Sequence, residues 1–96
     1  MTAWQFLHVT FAWHGAPAKF EDLEAVFGKA NDWMRYTPTT WIIRTKQTPT
    51  VWADRIFPLL PNPSLDQFLV VKIIKDESQG RLPDWIWNWI NKVRTD

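Results

Sequence analysis

The sequence predicts an α+β domain: a ferredoxin-like β-α-β-β-α-β sandwich, with a four-stranded antiparallel sheet, two helices on one face and an added C-terminal helix. Three observations carry this reading. Segments that alternate apolar and polar residues are interleaved with segments of helical period. Their order is strand, helix, strand, strand, helix, strand, helix. Each helix lying between two strands can make a right-handed crossover, so all four strands fit one sheet. Residues 1–96 are read as one domain, with 83–95 as the added helix.

Trp4 to Trp13 is aromatic and β-branched with no Gly or Pro, a strand pattern. Leu7, Val9 and Phe11 share one face, and Phe6, His8, Thr10 and Ala12 share the less apolar one. His14 to Ala18 holds Gly15 and Pro17 and reads as a loop. From Phe20 to Ala30 the period changes, with Phe20, Leu23, Val26, Phe27 and Ala30 forming a helical stripe. Glu21 and Asp22 lie in the first turn, where the helix dipole favours them.

Trp33 to Tyr36 is a short apolar piece closed by Thr37 and Pro38, and Thr39 to Thr45 is a clear strand, so the two predict a hairpin turning near Pro38. Thr48-Pro49 reads as an N-cap and first helical position, and Trp52, Ile56 and Leu59 as the buried face that follows. Pro58 ends or distorts that helix because it lacks an N–H. Leu60 to Leu65 is a loop, Gln67 to Ile74 the strongest β segment, and Lys75 to Arg81 a polar connection. Pro83 opens a helix from Asp84 to about Arg94, with Trp85, Ile86, Trp89, Ile90 and Val93 inward and Trp87 outward.

Bulk composition narrows the class. A chain of 96 residues buries only roughly 60–65% of its unfolded surface, so its core must be dense. Eight Trp and six Phe supply that density. Without cysteine, disulfides and thiolate metal sites are excluded, and a reducing compartment fits. Eleven basic and ten acidic residues give +1, less excess than a dedicated duplex-DNA binder shows. The longest apolar stretches, Phe68 to Val71 and Ile56 to Leu60, fall far short of the ~20 residues of a membrane span. The expectation is a cytoplasmic protein with no membrane contact.

If the first and third strands are central, the sheet face opposite the two crossover helices lacks helical cover, and function is sought there. Placing polar side chains outward assigns it Phe6, His8 and Thr10, then Thr40, Ile42 and Arg44, then Phe68, Val70 and Lys72. A slip of one residue would exchange the faces. Such a surface suits a second subunit or the terminal helix. It also suits single-stranded nucleic acid, with Phe6 and Phe68 stacking on bases and Arg44 and Lys72 meeting phosphates. An unrelated protein partner is the third reading, and Trp87 is a possible contact for it.

No catalytic constellation emerges. His8 and His14 have no acidic residue between them, and a metal site would need further ligands from elsewhere. Ser64 and Ser78 sit in loops outside any nucleophile-elbow pattern, and three isolated glycines make no phosphate loop. Asp66, before the last strand, is placed to cap a turn. No cofactor or metal is expected. The aromatic run Asp84 to Lys92 reads as a packed helix, since a peripheral membrane helix carries more cations than Lys92 and Arg94.

Thr39-Thr40-Trp41-Ile42-Ile43-Arg44-Thr45 resembles the Ser-Thr-Trp-Leu-x-x-Thr strand of SinR-like proteins, relatives of virulence-associated protein D and of the small CRISPR-associated endoribonucleases. Trp33 before that strand, and the run Leu65 to Ile73, similar to the family's Asp-x-Leu-x-Val-x-Lys stretch, add to the resemblance. It implies a dimeric ferredoxin-like protomer from a superfamily of toxins, antitoxins and CRISPR adaptation subunits. Its nucleases carry a metal-binding Asp at the end of the first strand, where this chain has Ala12. Without that oxygen ligand little would hold a hard Mg²⁺ ion. The expectation is therefore a non-catalytic homodimeric interaction or regulatory protein, in a toxin–antitoxin or mobile-element defence setting. The alternatives are a metal-dependent endoribonuclease and a single-strand binder.

Overall fold

The computed structural model describes residues 3–74 and 79–93. The described residues form an α+β fold, with one four-stranded antiparallel sheet and three α-helices. Strand β1 (Gln5–Ala12) leads to helix α1 (Phe20–Phe27), then to the hairpin of β2 (Asp32–Thr37) and β3 (Thr40–Thr45). Helix α2 (Pro49–Ile56), a 3₁₀ turn (Phe57–Leu59), strand β4 (Gln67–Ile73) and helix α3 (Asp84–Val93) follow. The spatial order is β2-β3-β1-β4, which makes β1 and β3 central and leaves β2 and β4 as edges.

Local chemistry sets the boundaries. Thr48 Oγ1 accepts the Val51 amide at 3.3 Å and Pro49 follows it, so α2 starts where a capped helix should. Pro58 interrupts the bonding pattern, and the chain tightens into the 3₁₀ turn after Ile56. Helix α1 stops at Phe27, three residues short of the expected Ala30. The Gly28 amide closes onto Glu24 O at 2.8 Å, and Ala30 folds back to Phe27 O at 3.0 Å. The 75–78 part of the expected polar connection, Ser78 included, lies outside the described residues.

The inner face of the sheet carries the larger core. Leu7, Val9 and Phe11 of β1 and Trp41 and Ile43 of β3 pack under Leu23 and Phe27 of α1 and Trp52 and Ile56 of α2. Trp41 is the hub of this cluster: its ring centroid lies 4.5 Å from Phe27, 5.2 Å from Trp33 and 5.9 Å from Phe20. Trp52 donates its indole N–H to Thr45 Oγ1 at 3.2 Å, tying α2 to the end of β3.

The outer face, read from sequence as uncovered by the crossover helices and suited to a second subunit or the terminal helix, is partly covered by the terminal helix. Helix α3 lies on it and buries Ile86 and Ile90 against Phe6, Met34 and Ile42. Trp89 meets Phe6 edge-on at 5.5 Å and gives its indole N–H to Asp32 Oδ2 at 3.0 Å. The expected roles of two tryptophans are exchanged. Trp87 is half-buried against this cluster, and Trp85 is 56% exposed. The helix is seated between Ile86 and Ile90, which leaves Trp87 only about 60° from Ile90 but Trp85 about 100° from Ile86. The Val93 side chain lies outside what is described.

The register corrects a second expectation. Phe6, His8 and Thr10 lie opposite Arg44, Ile42 and Thr40, so those two strands share the outer face as read from sequence. In β4, however, Lys72, Val70 and Phe68 lie opposite Leu7, Val9 and Phe11 and belong to the inner face. The outer residues are Leu69, Val71 and Ile73, partnered with Thr10, His8 and Phe6. The rule of placing polar groups outward failed because β4 is an edge: a lysine at either parity can carry its ammonium past the rim to water.

Candidate functional site

With α3 in place, the outer face is divided into a covered part, a cavity and an exposed rim. Phe6 and Ile42 are buried beneath the helix and unavailable as a docking surface. Arg44 is 4% exposed; its Nη1 donates to Asn31 Oδ1 at 2.5 Å and its guanidinium lies 4.3 Å from the centre of the Trp4 ring. A phosphate-reading role for Arg44 on the open sheet is therefore replaced by a structural one. Phe68 and Val70 pack against the inner core, and Lys72 is exposed at the rim. The expected aromatic and basic binding face is thus dismantled: its members lie on both sides of the sheet.

What remains on the outer face is a cavity of about 420 Å³ beside α3. Ile42, Val71, Ile73, Leu82, Trp87 and Ile90 give it apolar walls. Lys72, Gln79 and Arg81 also line it, and a polar pair stands among them: His8 Nε2 lies 2.5 Å from the Tyr36 hydroxyl, with ring centroids 5.8 Å apart. Burial holds the imidazole below its ordinary pKa and pushes the phenol above its own. At neutral pH both groups are uncharged, and the imidazole tautomer sets which of the two donates. The pair places a polar point among these apolar walls, where it could orient the polar end of a ligand.

Tyr36 was not singled out from sequence, where it closed an apolar piece before Pro38. Its signal was position: two residues beyond Met34, which pairs with Ile42, it falls beside His8 once the hairpin forms. The irregular register between Arg35 and Thr37 hides this from simple alternation.

The strand end where nucleases of the resembling family carry an aspartate offers Ala12, paired with Gln67. The neighbouring carboxylate, Asp66, is buried and occupied. Its Oδ1 accepts the His14 amide and its Oδ2 the Asn62 amide, each at 2.8 Å. It fastens the exit of β1 to the turn before β4. The His14 side chain is exposed. Among the described residues no three His, Asp or Glu side chains gather as a metal set, and no helix is long and apolar enough to cross a membrane. No protein-family model matches the chain, and no curated protein or solved structure matches it either.

Proposed function

We propose that this is a non-catalytic, homodimeric interaction or regulatory protein with a ferredoxin-like core, akin to the SinR-like branch it resembles, and that two copies join along β4. The observation that carries the proposal is the state of that edge. After α3 has covered the centre of the outer face, Leu69 remains 58% and Val71 40% exposed on an edge strand. An edge bearing apolar side chains and open backbone groups favours addition of another strand. Two β4 strands paired antiparallel about Val70 set Leu69 of each copy beside Val71 of the other. The strip becomes continuous across an eight-stranded sheet, twice the four strands of one copy. Phe68 of each copy then faces Lys72 of the other on the inner side. The occupied carboxylate of Asp66 and the alanine at position 12 support the non-catalytic part of the reading.

Light scattering at tens of micromolar tests it. The wild type should run as a dimer, and Val71→Lys as a folded monomer with an unchanged circular-dichroism spectrum. A monomeric wild type, or a Val71→Lys dimer of undiminished stability, overturns the proposal. Ile42, buried under α3, is unsuitable for this test, because a charge there would act on folding first.

A further inference from the structure

Another depression, of about 380 Å³, opens where β3 ends, between Trp4 ahead of β1, the residues after α1 and Arg55 of α2. Lys29, Lys46 and Arg55 line it together with Trp4 and Gln47, and its lining contains no carboxylate. In a chain of net charge +1, three cations around one concavity are a local concentration. They create a positive potential that the overall balance conceals. The nearby Asp32 is occupied, accepting the Trp33 amide at 2.8 Å and the Trp89 indole N–H at 3.0 Å.

The cations differ in how they are held. Arg55 is positioned: Nη1 donates to Gln47 Oε1 at 2.5 Å, and its guanidinium lies 4.8 Å from the centre of the Trp52 ring. Lys29 and Lys46 are exposed, on flexible stems. Lys46 rests its ammonium 4.7 Å from the centre of the Trp4 ring, and Trp4 as a residue is 40% exposed. Trp4 is in turn supported by the buried Arg44. A planar guanidinium, two mobile ammonium groups and an aromatic face are the groups that recognise a phosphate attached to a ring.

We infer that this depression is a nucleotide site. Arg55, Lys29 and Lys46 take the phosphate, and the swing of Lys46 away from the ring opens Trp4 for the base to stack. The site uses no residue of β4, so it goes beyond the dimer reading and survives its failure. The phosphate can come from a free nucleotide or from a single strand, and the chemistry is shared.

Titration of the full chain with AMP, inorganic phosphate and a short oligouridylate at low salt, followed by fluorescence, tests the inference. AMP and the oligonucleotide should bind, and inorganic phosphate should bind more weakly. A per-nucleotide preference for the oligonucleotide identifies a strand as the source, and equal affinities identify the free nucleotide. Trp4→Ala should weaken binding about tenfold or more. Lys46→Gln and Lys29→Gln, both at exposed positions, should each reduce the salt dependence of oligonucleotide binding by about 0.7 in logarithmic slope. Binding in the Val71→Lys variant should match the wild type. No binding at low salt, affinities unaffected by these three changes, or phosphate binding as tightly as AMP overturns the inference.

Discussion

The two faces of the sheet are built from the same few residue types and reach different degrees of closure. The inner face receives two helices, and its cluster takes buried residues from β1, β3, α1 and α2 and from the loop residue Ala18. The outer face receives one helix, buries five residues in its cluster and retains a cavity. Aromatic rings dominate the inner packing and interlock around Trp41, whose Nε1 is nevertheless buried with no acceptor among the described residues. A lone unpaired N–H of this kind costs about 1–3 kcal/mol, which the surrounding ring contacts offset. The outer face shows the reverse compromise: its polar pair is satisfied and its apolar walls are incompletely filled. One side of the sheet is closed by ring packing, and the other keeps an unfilled cavity.

This contrast can be broken or sharpened by measurement. The largest effect should come from Trp52→Ala, which removes a fully buried ring and its bond to Thr45. It is expected to cost about 3–5 kcal/mol in urea unfolding. Ile86→Ala on the outer face should cost less, about 2–3 kcal/mol, because its cluster borders an existing cavity that can absorb the change. Equal losses at both sites would abolish the distinction between the faces.

The smallest effect concerns the His8–Tyr36 pair. Tyr36→Phe should cost about 1 kcal/mol near neutral pH. Burial depresses His8 below 6.5, so under acid conditions the unfolded chain takes up a proton that the folded one resists. Stability relative to His8→Gln should therefore be fully present above pH 6.5 and shrink as the pH falls toward the folded pKa. Tyr36 is raised above 10.0, so its contribution is present below that pH and is lost as alkali rises through the folded value. Denaturant titrations across pH, compared between wild type and each variant, read both limbs. A pH-independent difference would place the pair outside the energetics of the outer face.

Much of this architecture was legible in the sequence because it is written in local periods. The strand from Gln67, the capped start at Thr48-Pro49 and the break at Pro58 each announce themselves within a few residues. The central positions of β1 and β3 also followed from element order. Facing was harder. At β1 the alternation of Phe6, His8 and Thr10 with Leu7, Val9 and Phe11 had large contrast, and at β3 placing Thr40 and Arg44 outward gave the observed parity. In β4 nearly every residue is apolar, so a single lysine decided the assignment and decided it wrongly. Helix α3 was only one of several candidate covers for the outer face, because an amphipathic stripe shows that a helix buries a face without showing against what. The basic depression draws on Trp4, Lys29, Lys46 and Arg55, which no short motif contains and only the fold assembles.

The bond between Trp89 and Asp32 joins residues 57 positions apart, and it shares the outer face with contacts from Phe6 to Ile86 and Ile90. Any state in which α3 has come away therefore bares Phe6, Met34 and Ile42 together, beside the open edge of β4. A chain cut just before Asp84 should consequently aggregate rather than persist as a smaller folded protein.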